Sequence, residues 1–135
     1  MIKVRLLLVD TPETQDVGVP DCYGPEAKEF TSKFRFHPVK LAYESKTDCK
    51  DHYDRYLAYV TPTDMESDKS INEQLIANGF ARVCRIECDE SRYEEFAELE
   101  TEAKDSDVGL WNADSCPDSR TLSSWGASGC NGSCR

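Results

Sequence analysis

The stretch that most constrains this chain runs from Arg5 to Thr14 and reads RLLLVDTPET. Its apolar run, Leu6 to Val9, has the composition of a strand and is too short for an isolated helix, and strand alternation would separate odd-numbered from even-numbered residues. Pro12 lacks an N–H group, so it ends strand pairing. Asp10 and Glu13 then lie just past the strand end, where two carboxylates can hold a hard cation and activate a water. A polar turn explains the same residues, and the segment alone favours that simpler interpretation.

Length and composition indicate one small globular domain. The chain has 135 residues, of which 39% are hydrophobic and 31% are charged, a balance typical of soluble proteins with a modest core. No apolar run approaches the length that crosses a bilayer, and no secretory leader pattern stands at the start. Because the chain begins almost inside an apolar strand, Ile2 to Val4, we expect it to start partway through a longer precursor.

The charge of the chain limits what it binds. The formal net charge is −10 and the sequence pI is about 4.6, so the chain as a whole repels polyanions. This counts against a protein that only binds nucleic acid. It leaves a nuclease open, because a bound divalent cation and a few arginines reverse the field within one cleft.

The cysteine content is high for a chain of this length. The seven cysteines are Cys22, Cys49, Cys84, Cys88, Cys116, Cys130 and Cys134. In an oxidising compartment such a set predicts up to three disulfides with one thiol left over, and hence a secreted protein. The alternative is a zinc site made by two Cys-x3-Cys pairs, 84–88 and 130–134, whose spacing is looser than the usual Cys-x2-Cys. We favour disulfides.

Hydrophobic periodicity predicts three helices between short strands. The first helix begins at Pro25 with Gly24 as N-cap, and its apolar stripe extends to Phe34. Segments 39–44, 55–60 and 80–86 have strand patterns. Ser-x-x-Glu capping boxes at 70–73 and 91–94 predict the starts of the second and third helices, and Gly79 predicts the end of the second. Residues 112–135, rich in Ser, Gly, Cys and Asp, form a separate tail.

Four motifs in order make the chain resemble the staphylococcal nuclease (thermonuclease) family. They are RLLLVDTPET at 5–14, YGPEAKEF at 23–30, DHYDRYLAYV at 51–60 and INEQLIANGFARV at 71–83, followed by GLW at 109–111. The resemblance implies an α+β fold, a small OB-fold-like five-stranded β-barrel with three α-helices. Here the barrel would lack its N-terminal strands, since only four residues precede the first motif. Residues 1–111 would form the nuclease-like domain.

The resemblance also implies a set of site residues. Arg5 and Arg55 match the two arginines that bind the phosphate, and Glu13 matches the carboxylate that activates water. Asp10 and the carbonyl of Thr11 match calcium ligands. The chemistry agrees with these roles, because paired guanidinium groups suit the charge that develops on a phosphodiester, and calcium acts as a Lewis acid.

Three departures from the family pattern accompany these matches. Tyr53 matches the tyrosine beside the bound phosphate, but the two aromatic residues that flank the base in the family correspond here to Arg85 and Glu87. A stacking platform is therefore lost. The glycine before the second arginine is Asp54 here, which tolerates left-handed backbone but adds negative charge. Another calcium-binding aspartate of the family, upstream of RLLLVDTPET, has no counterpart. Four acidic residues are candidates to replace it: Asp16, Asp21, Asp51 and Asp54.

The resemblance thus predicts a secreted, monomeric, calcium-dependent nuclease that hydrolyses phosphodiester bonds of DNA, RNA or both. The alternative is a catalytically impaired domain of the same fold that binds nucleic acid or protein, and the missing aspartate and the net charge favour it. A third hypothesis is a secreted structural domain attached to a surface by its cysteine-rich tail. Calcium binding separates the first two hypotheses, and cysteine pairing tests the third.

Overall fold

The computed structural model describes residues 2–12, 22–44, 50–51, 53–84 and 91–117. These residues form an α+β architecture of three helices and short strands. The strands are β1 (Val4–Leu6), β2 (Val9–Asp10), β3 (Val39–Ala42), β4 (Tyr56–Pro62) and β5 (Arg82–Val83). The helices are α1 (Gly24–Ser32), α2 (Ile71–Ala77) and α3 (Tyr93–Asp105), followed by a 3₁₀ turn at Gly109–Trp111.

The strands form two small sheets. In the first, β4 lies between β1, to which it is parallel, and β3, to which it is antiparallel. In the second, β2 pairs with β5 in antiparallel fashion. Five strands were expected, but across the described ranges they make a three-stranded and a two-stranded sheet rather than a closed barrel.

The apolar run that opens the chain is not one continuous strand. A bend at Leu7 and Leu8 separates β1 from β2, and Leu8 has a φ of 63°, a left-handed conformation that costs a non-glycine residue about 1–2 kcal/mol. The bend carries the chain from one sheet to the other: Leu7 N–H donates to Ala58 O of β4, while Leu8 O accepts from Cys84 N–H beside β5. Simple odd–even alternation through this run is therefore wrong.

A buried amide joins the bend at Leu7 and the central strand β4 to α2. Asn72 is fully buried, its amide nitrogen donates to Leu7 O at 2.9 Å and to Ala58 O at 3.1 Å, and its amide oxygen accepts from Val60 N–H at 3.0 Å. Around it lie the large apolar side chains of the core, among them Leu75, Ile76 and Phe96. Asn72 thus holds the bend, the central strand and the helix in one register.

The helix ends test the capping predictions. The capping box of α2 is confirmed: the Ser70 hydroxyl accepts from Glu73 N–H, and the Glu73 carboxylate accepts from Ser70 N–H. The predicted box of α3 is wrong. That helix begins at Tyr93 with Arg92 as N-cap, and the hydroxyl of Ser91 donates to Glu44 instead. The α1 helix begins at Gly24, one residue earlier than expected, and ends at Ser32, although Phe34 beyond it is buried.

Two glycines, Gly79 and Gly109, allow the end of α2 to touch the 3₁₀ turn. Gly79 has a φ of +73°, and a Cβ there would lie 2.3 Å from Val108 O.

Cys22 and Cys116 form a disulfide with Cα atoms 5.8 Å apart, which joins the start of α1 to the segment after the 3₁₀ turn. Among the described helices, none has the length and apolarity needed to cross a membrane.

Candidate active site

The pairing of β1 with β4 brings Arg5 and Arg55 to neighbouring strands. Arg5 lies opposite Leu57, and Arg55 immediately precedes β4, two residues before that position. The backbones of the two segments are hydrogen-bonded at this point, because Tyr56 N–H donates to Lys3 O at 2.8 Å. Two residues is the repeat of a strand, so the register favours one face for both guanidinium groups.

Arg55 is held by a compact turn that begins at Asp51. The Asp51 Oδ1 atom accepts from the N–H groups of Tyr53 at 2.9 Å and Arg55 at 3.0 Å, and Oδ2 accepts from Arg55 Nε at 2.6 Å. Asp51 N–H in turn donates to Arg55 O at 3.0 Å. Asp54 closes the turn with a φ of 63°, which an aspartate tolerates better than most residues. The departure from glycine at this position therefore leaves the turn intact.

Tyr53 projects from the same turn. Its side chain is among the most exposed aromatic groups of the described residues, at 66% exposure. The Arg55 guanidinium lies 5.3 Å from the centroid of its ring, within the range of a cation–π contact. The turn thus presents an aromatic ring and a cation together at the surface.

Asp10 and Thr11 lie at the end of β2, in the second sheet. Asp10 is only 7% exposed and lies opposite Arg82 of β5 in the antiparallel register. Burial lowers the pKa of the Arg82 guanidinium, and the negative charges of Glu100 and Asp10 oppose that effect. Asp10 therefore lies opposite a cationic residue supplied by a strand 72 positions further along the chain.

The surroundings of Arg82 come from α3 and the 3₁₀ turn. Its guanidinium lies 5.5 Å from the Trp111 ring centroid, and Lys104 Nζ lies 4.7 Å from a centroid of the same ring. Glu100 accepts from Val83 N–H at 2.6 Å and from Lys104 Nζ at 3.2 Å. The residue opposite Asp10 is thus packed by the carboxyl-terminal part of the domain.

Only some of the oxygen donors expected for calcium belong to the described residues. Asp10 and the Thr11 carbonyl supply hard oxygen atoms of the kind that calcium takes, but two donors are fewer than the roughly six to eight that it binds. Glu13, and the candidates Asp16 and Asp21, lie outside the described residues. In the described part of the chain, no three His, Cys, Asp or Glu side chains converge to hold a metal ion.

One residue of this region gains a different interpretation from the structure. Asp51 was a candidate for the role of the calcium ligand that the resemblance places upstream of Arg5, but both of its carboxylate oxygens accept hydrogen bonds within the turn. The aspartate at the start of a polar turn was a signal for the contact with Tyr53 N–H, since turn aspartates often bond to backbone N–H groups two residues on. Arg85 and Glu87, which correspond to the two base-flanking aromatic residues of the family, lie outside the described residues.

Comparison with known proteins agrees with the geometry. The family model described as "Staphylococcal nuclease homologue" matches residues 3–113. An uncharacterized protein of Methanocaldococcus jannaschii is 35% identical over 131 aligned positions, covering 82% of this chain and 61% of the relative. Endonuclease YncB of Bacillus subtilis is 37% identical, covering 81% and 51%, and the thermonuclease of Staphylococcus hyicus is 31% identical, covering 81% and 62%. The chain spans from about half to three-fifths of these relatives' lengths. With the family model covering most of it, the chain belongs to the staphylococcal nuclease family.

Proposed function

We propose that this protein is a calcium-dependent nuclease that hydrolyses phosphodiester bonds in DNA, RNA or both. The observation that carries the proposal is the parallel register of β1 and β4, which places Arg5 one strand away from Arg55. Two arginines far apart in sequence thus lie on adjacent chain segments, and each guanidinium can donate paired hydrogen bonds of the kind that phosphate oxygens accept. The endonuclease and thermonuclease relatives support the same reaction class.

Each site residue then has a role in hydrolysis. Arg5 and Arg55 bind the phosphate and stabilise the charge that develops on its oxygens. Glu13 accepts the proton of the attacking water. Asp10 and the Thr11 carbonyl would hold the calcium ion, which when bound supplies Lewis-acid polarisation of the phosphoryl oxygen. Tyr53 binds the substrate beside Arg55.

The remaining properties of the enzyme follow from its cysteines and its resemblance to the family. We propose a secreted, monomeric protein whose domain comprises residues 1–111, with 112–135 as its tail. The disulfide between Cys22 and Cys116 supports an oxidising compartment. Mass spectrometry of the non-reduced protein is expected to recover the peptides of these two cysteines as a linked pair.

The test is a nuclease assay on single-stranded DNA, double-stranded DNA and RNA, with calcium or with a chelator. We expect calcium-dependent release of acid-soluble nucleotides, and a loss of about two to three orders of magnitude for Asp10→Asn. The matched control is Asp68→Asn, which removes the same charge from an exposed loop position and is expected to leave the rate unchanged.

The assay also addresses the competing hypothesis. If neither this chain nor a longer gene product that contains it hydrolyses any of the three substrates with millimolar calcium, the nuclease proposal is wrong. Calcium binding measured by calorimetry then separates an inactive calcium protein from the catalytically impaired binding domain. The impaired domain would show no calcium binding.

A further inference from the structure

We propose that Asp51 is a positioning residue for the phosphate site: it holds the Arg55 guanidinium by Nε so that its two terminal Nη groups point toward the substrate. This inference rests on the proposed function, because it assigns Arg55 its ligand. It concerns a carboxylate that contacts neither the phosphate nor the metal in the proposed mechanism.

The contact geometry supports a rigid arrangement. Asp51 is 3% exposed, and the 2.6 Å distance from its Oδ2 atom to Arg55 Nε is that of a charge-assisted hydrogen bond. Its other oxygen accepts two backbone N–H groups of the same turn. The backbone N–H groups hold the Asp51 carboxylate in place, and the carboxylate in turn holds Arg55 Nε. Little rotational freedom is therefore left at the end of the Arg55 side chain.

The charge state of Asp51 agrees with this role. Burial opposes ionisation of the carboxyl group, but the backbone N–H groups and the Arg55 guanidinium outweigh it and lower the pKa below its ordinary value of 3.8. At neutral pH the group is therefore an anion with three donors around it. A carboxylate satisfied in this way has little capacity left for a calcium ion.

The chemistry of the guanidinium explains why the Nε contact matters. An arginine binds an oxyanion either side-on, through Nε and one Nη, or end-on, through both Nη groups. Asp51 occupies Nε, so the end-on mode is the one that remains for a phosphate. Arg55 is half-buried beside an exposed tyrosine, so its side chain is partly accessible to such a ligand.

The same turn contains its own matched control, Asp54. Its side chain is 76% exposed and forms an ion pair with Lys50 at 3.4 Å, and among the described residues it belongs to no cluster of three metal-binding side chains. Asp54 is therefore set aside as a replacement calcium ligand. Asparagine tolerates the left-handed conformation of this position as well as aspartate does. Asp54→Asn therefore removes the same charge from the same turn without touching Arg55.

The decisive variant is Asp51→Asn. The amide oxygen of asparagine can still accept the two backbone N–H groups, but its NH₂ group would then face Arg55 Nε–H, and two donors repel. The turn is preserved while the side-chain contact is lost. Asp51→Ala removes both the backbone hydrogen bonds of the turn and the contact with Arg55 Nε. Its effect on the rate should therefore be larger than that of Asp51→Asn.

Three kinds of measurement test the proposal: the rate of hydrolysis, the NMR resonance of Arg55 Nε–H and the affinity for inorganic phosphate. The rate comes first. We expect Asp51→Asn to lower kcat/KM by about 10- to 100-fold, the usual effect of misplacing a catalytic group by about 1 Å. Asp54→Asn is expected to stay within about twofold of the parent, because it changes only an exposed charge. In an Arg55→Met background, Asp51→Asn should have no further effect on the rate, since coupled residues are not additive.

The second and third measurements do not depend on catalysis. The NMR resonance of Arg55 Nε–H should move on Asp51→Asn and stay in place on Asp54→Asn. Titration with inorganic phosphate should show about 10-fold weaker binding for Asp51→Asn, although this variant removes a negative charge, which by itself would favour an anion. If neither the parent chain nor a longer gene product that contains it is active, the proposed function fails, and the phosphate and NMR measurements still decide the role of Asp51. Unchanged phosphate affinity and an unmoved Nε–H resonance in a folded Asp51→Asn protein would overturn the proposal.

Discussion

The two halves of the candidate site are built in different ways. The half that carries Arg55 and Tyr53 is held by hydrogen bonds to the Asp51 carboxylate, from donors two and four residues further along the chain. The half that carries Arg5 and Asp10 depends on partners from distant segments: Asn72 on the bend at Leu7, and Arg82 opposite Asp10.

This difference has a physical consequence. A turn closed by local hydrogen bonds costs little chain entropy and forms whenever its own residues are in place. The other half requires α2 and β5 to be docked, because its backbone hydrogen-bond partners lie on those elements. We therefore expect treatments that loosen the fold to release Arg5 and Asp10 before they disturb the turn at Arg55.

The largest expected effect is on the long-range half. Asn72→Ala would leave Leu7 O and Val60 N–H, both bonded to the Asn72 amide, without that partner inside the core. Unsatisfied buried groups cost about 1–3 kcal/mol each, so we expect a loss of roughly 2–4 kcal/mol in the free energy of unfolding. Urea denaturation measures it.

The control for this variant is Asn78→Ala. That amide is exposed and donates to Gln74 O at 2.8 Å at the end of the same helix, so we expect a loss of less than about 0.5 kcal/mol. Equal losses for the two variants would show that the buried amide does not hold the bend and the central strand in register.

An intermediate effect is expected at Arg82. Replacing it by methionine, Arg82→Met, removes the cation opposite the buried Asp10 and should destabilise the fold by roughly 1–3 kcal/mol. The same change should strengthen calcium binding a few-fold, because Arg82 competes with the metal ion for the charge of Asp10.

Two measurements separate these consequences. Chemical denaturation gives the stability, and calorimetry at a temperature where both proteins are folded gives the calcium affinity. Weaker calcium binding in folded Arg82→Met protein would mean that Arg82 orients Asp10 for the metal rather than competing with it.

The smallest expected effect is a loss of stability in acid that comes from the local half. The pKa of Asp51 is lowered in the folded protein, because the backbone donors and Arg55 outweigh the opposing effect of burial. A carboxyl group whose pKa is lower when folded stabilises the fold above its unfolded pKa, near 3.8, and this stabilisation is lost as the pH falls through the folded value.

Glu95 adds to this acid dependence, since its hydrogen bond with Arg92 lowers its pKa. Unfolding free energies measured between neutral pH and about pH 3 should therefore fall as the pH decreases. Asp51→Asn should show a shallower fall than the parent, and an identical slope would contradict the assignment of Asp51.

Local chemistry accounts for the parts of the fold that the sequence predicted well. The capping box of α2 formed as expected because Ser70 and Glu73 satisfy each other's backbone N–H groups without outside help. The same pattern at 91–94 failed because Ser91 found a tertiary partner, Glu44, which also accepts from Tyr59 OH at 2.5 Å. A local rule held where no distant group competed with it.

The amino-acid sequence by itself determined the family, the order of elements and the identity of Arg5, Asp10, Thr11, Tyr53 and Arg55 as site candidates, because these depend on motifs and spacing. Glu13 belongs to the same set and lies outside the described residues. Only the tertiary structure decided that the opening apolar run bends at Leu8 to serve two sheets, since hydrogen bonds to β4 and to Cys84 hold the left-handed residue there. It also decided that Asp51 binds Arg55, because a carboxylate with three donors around it is recognised from its contacts and not from its residue type.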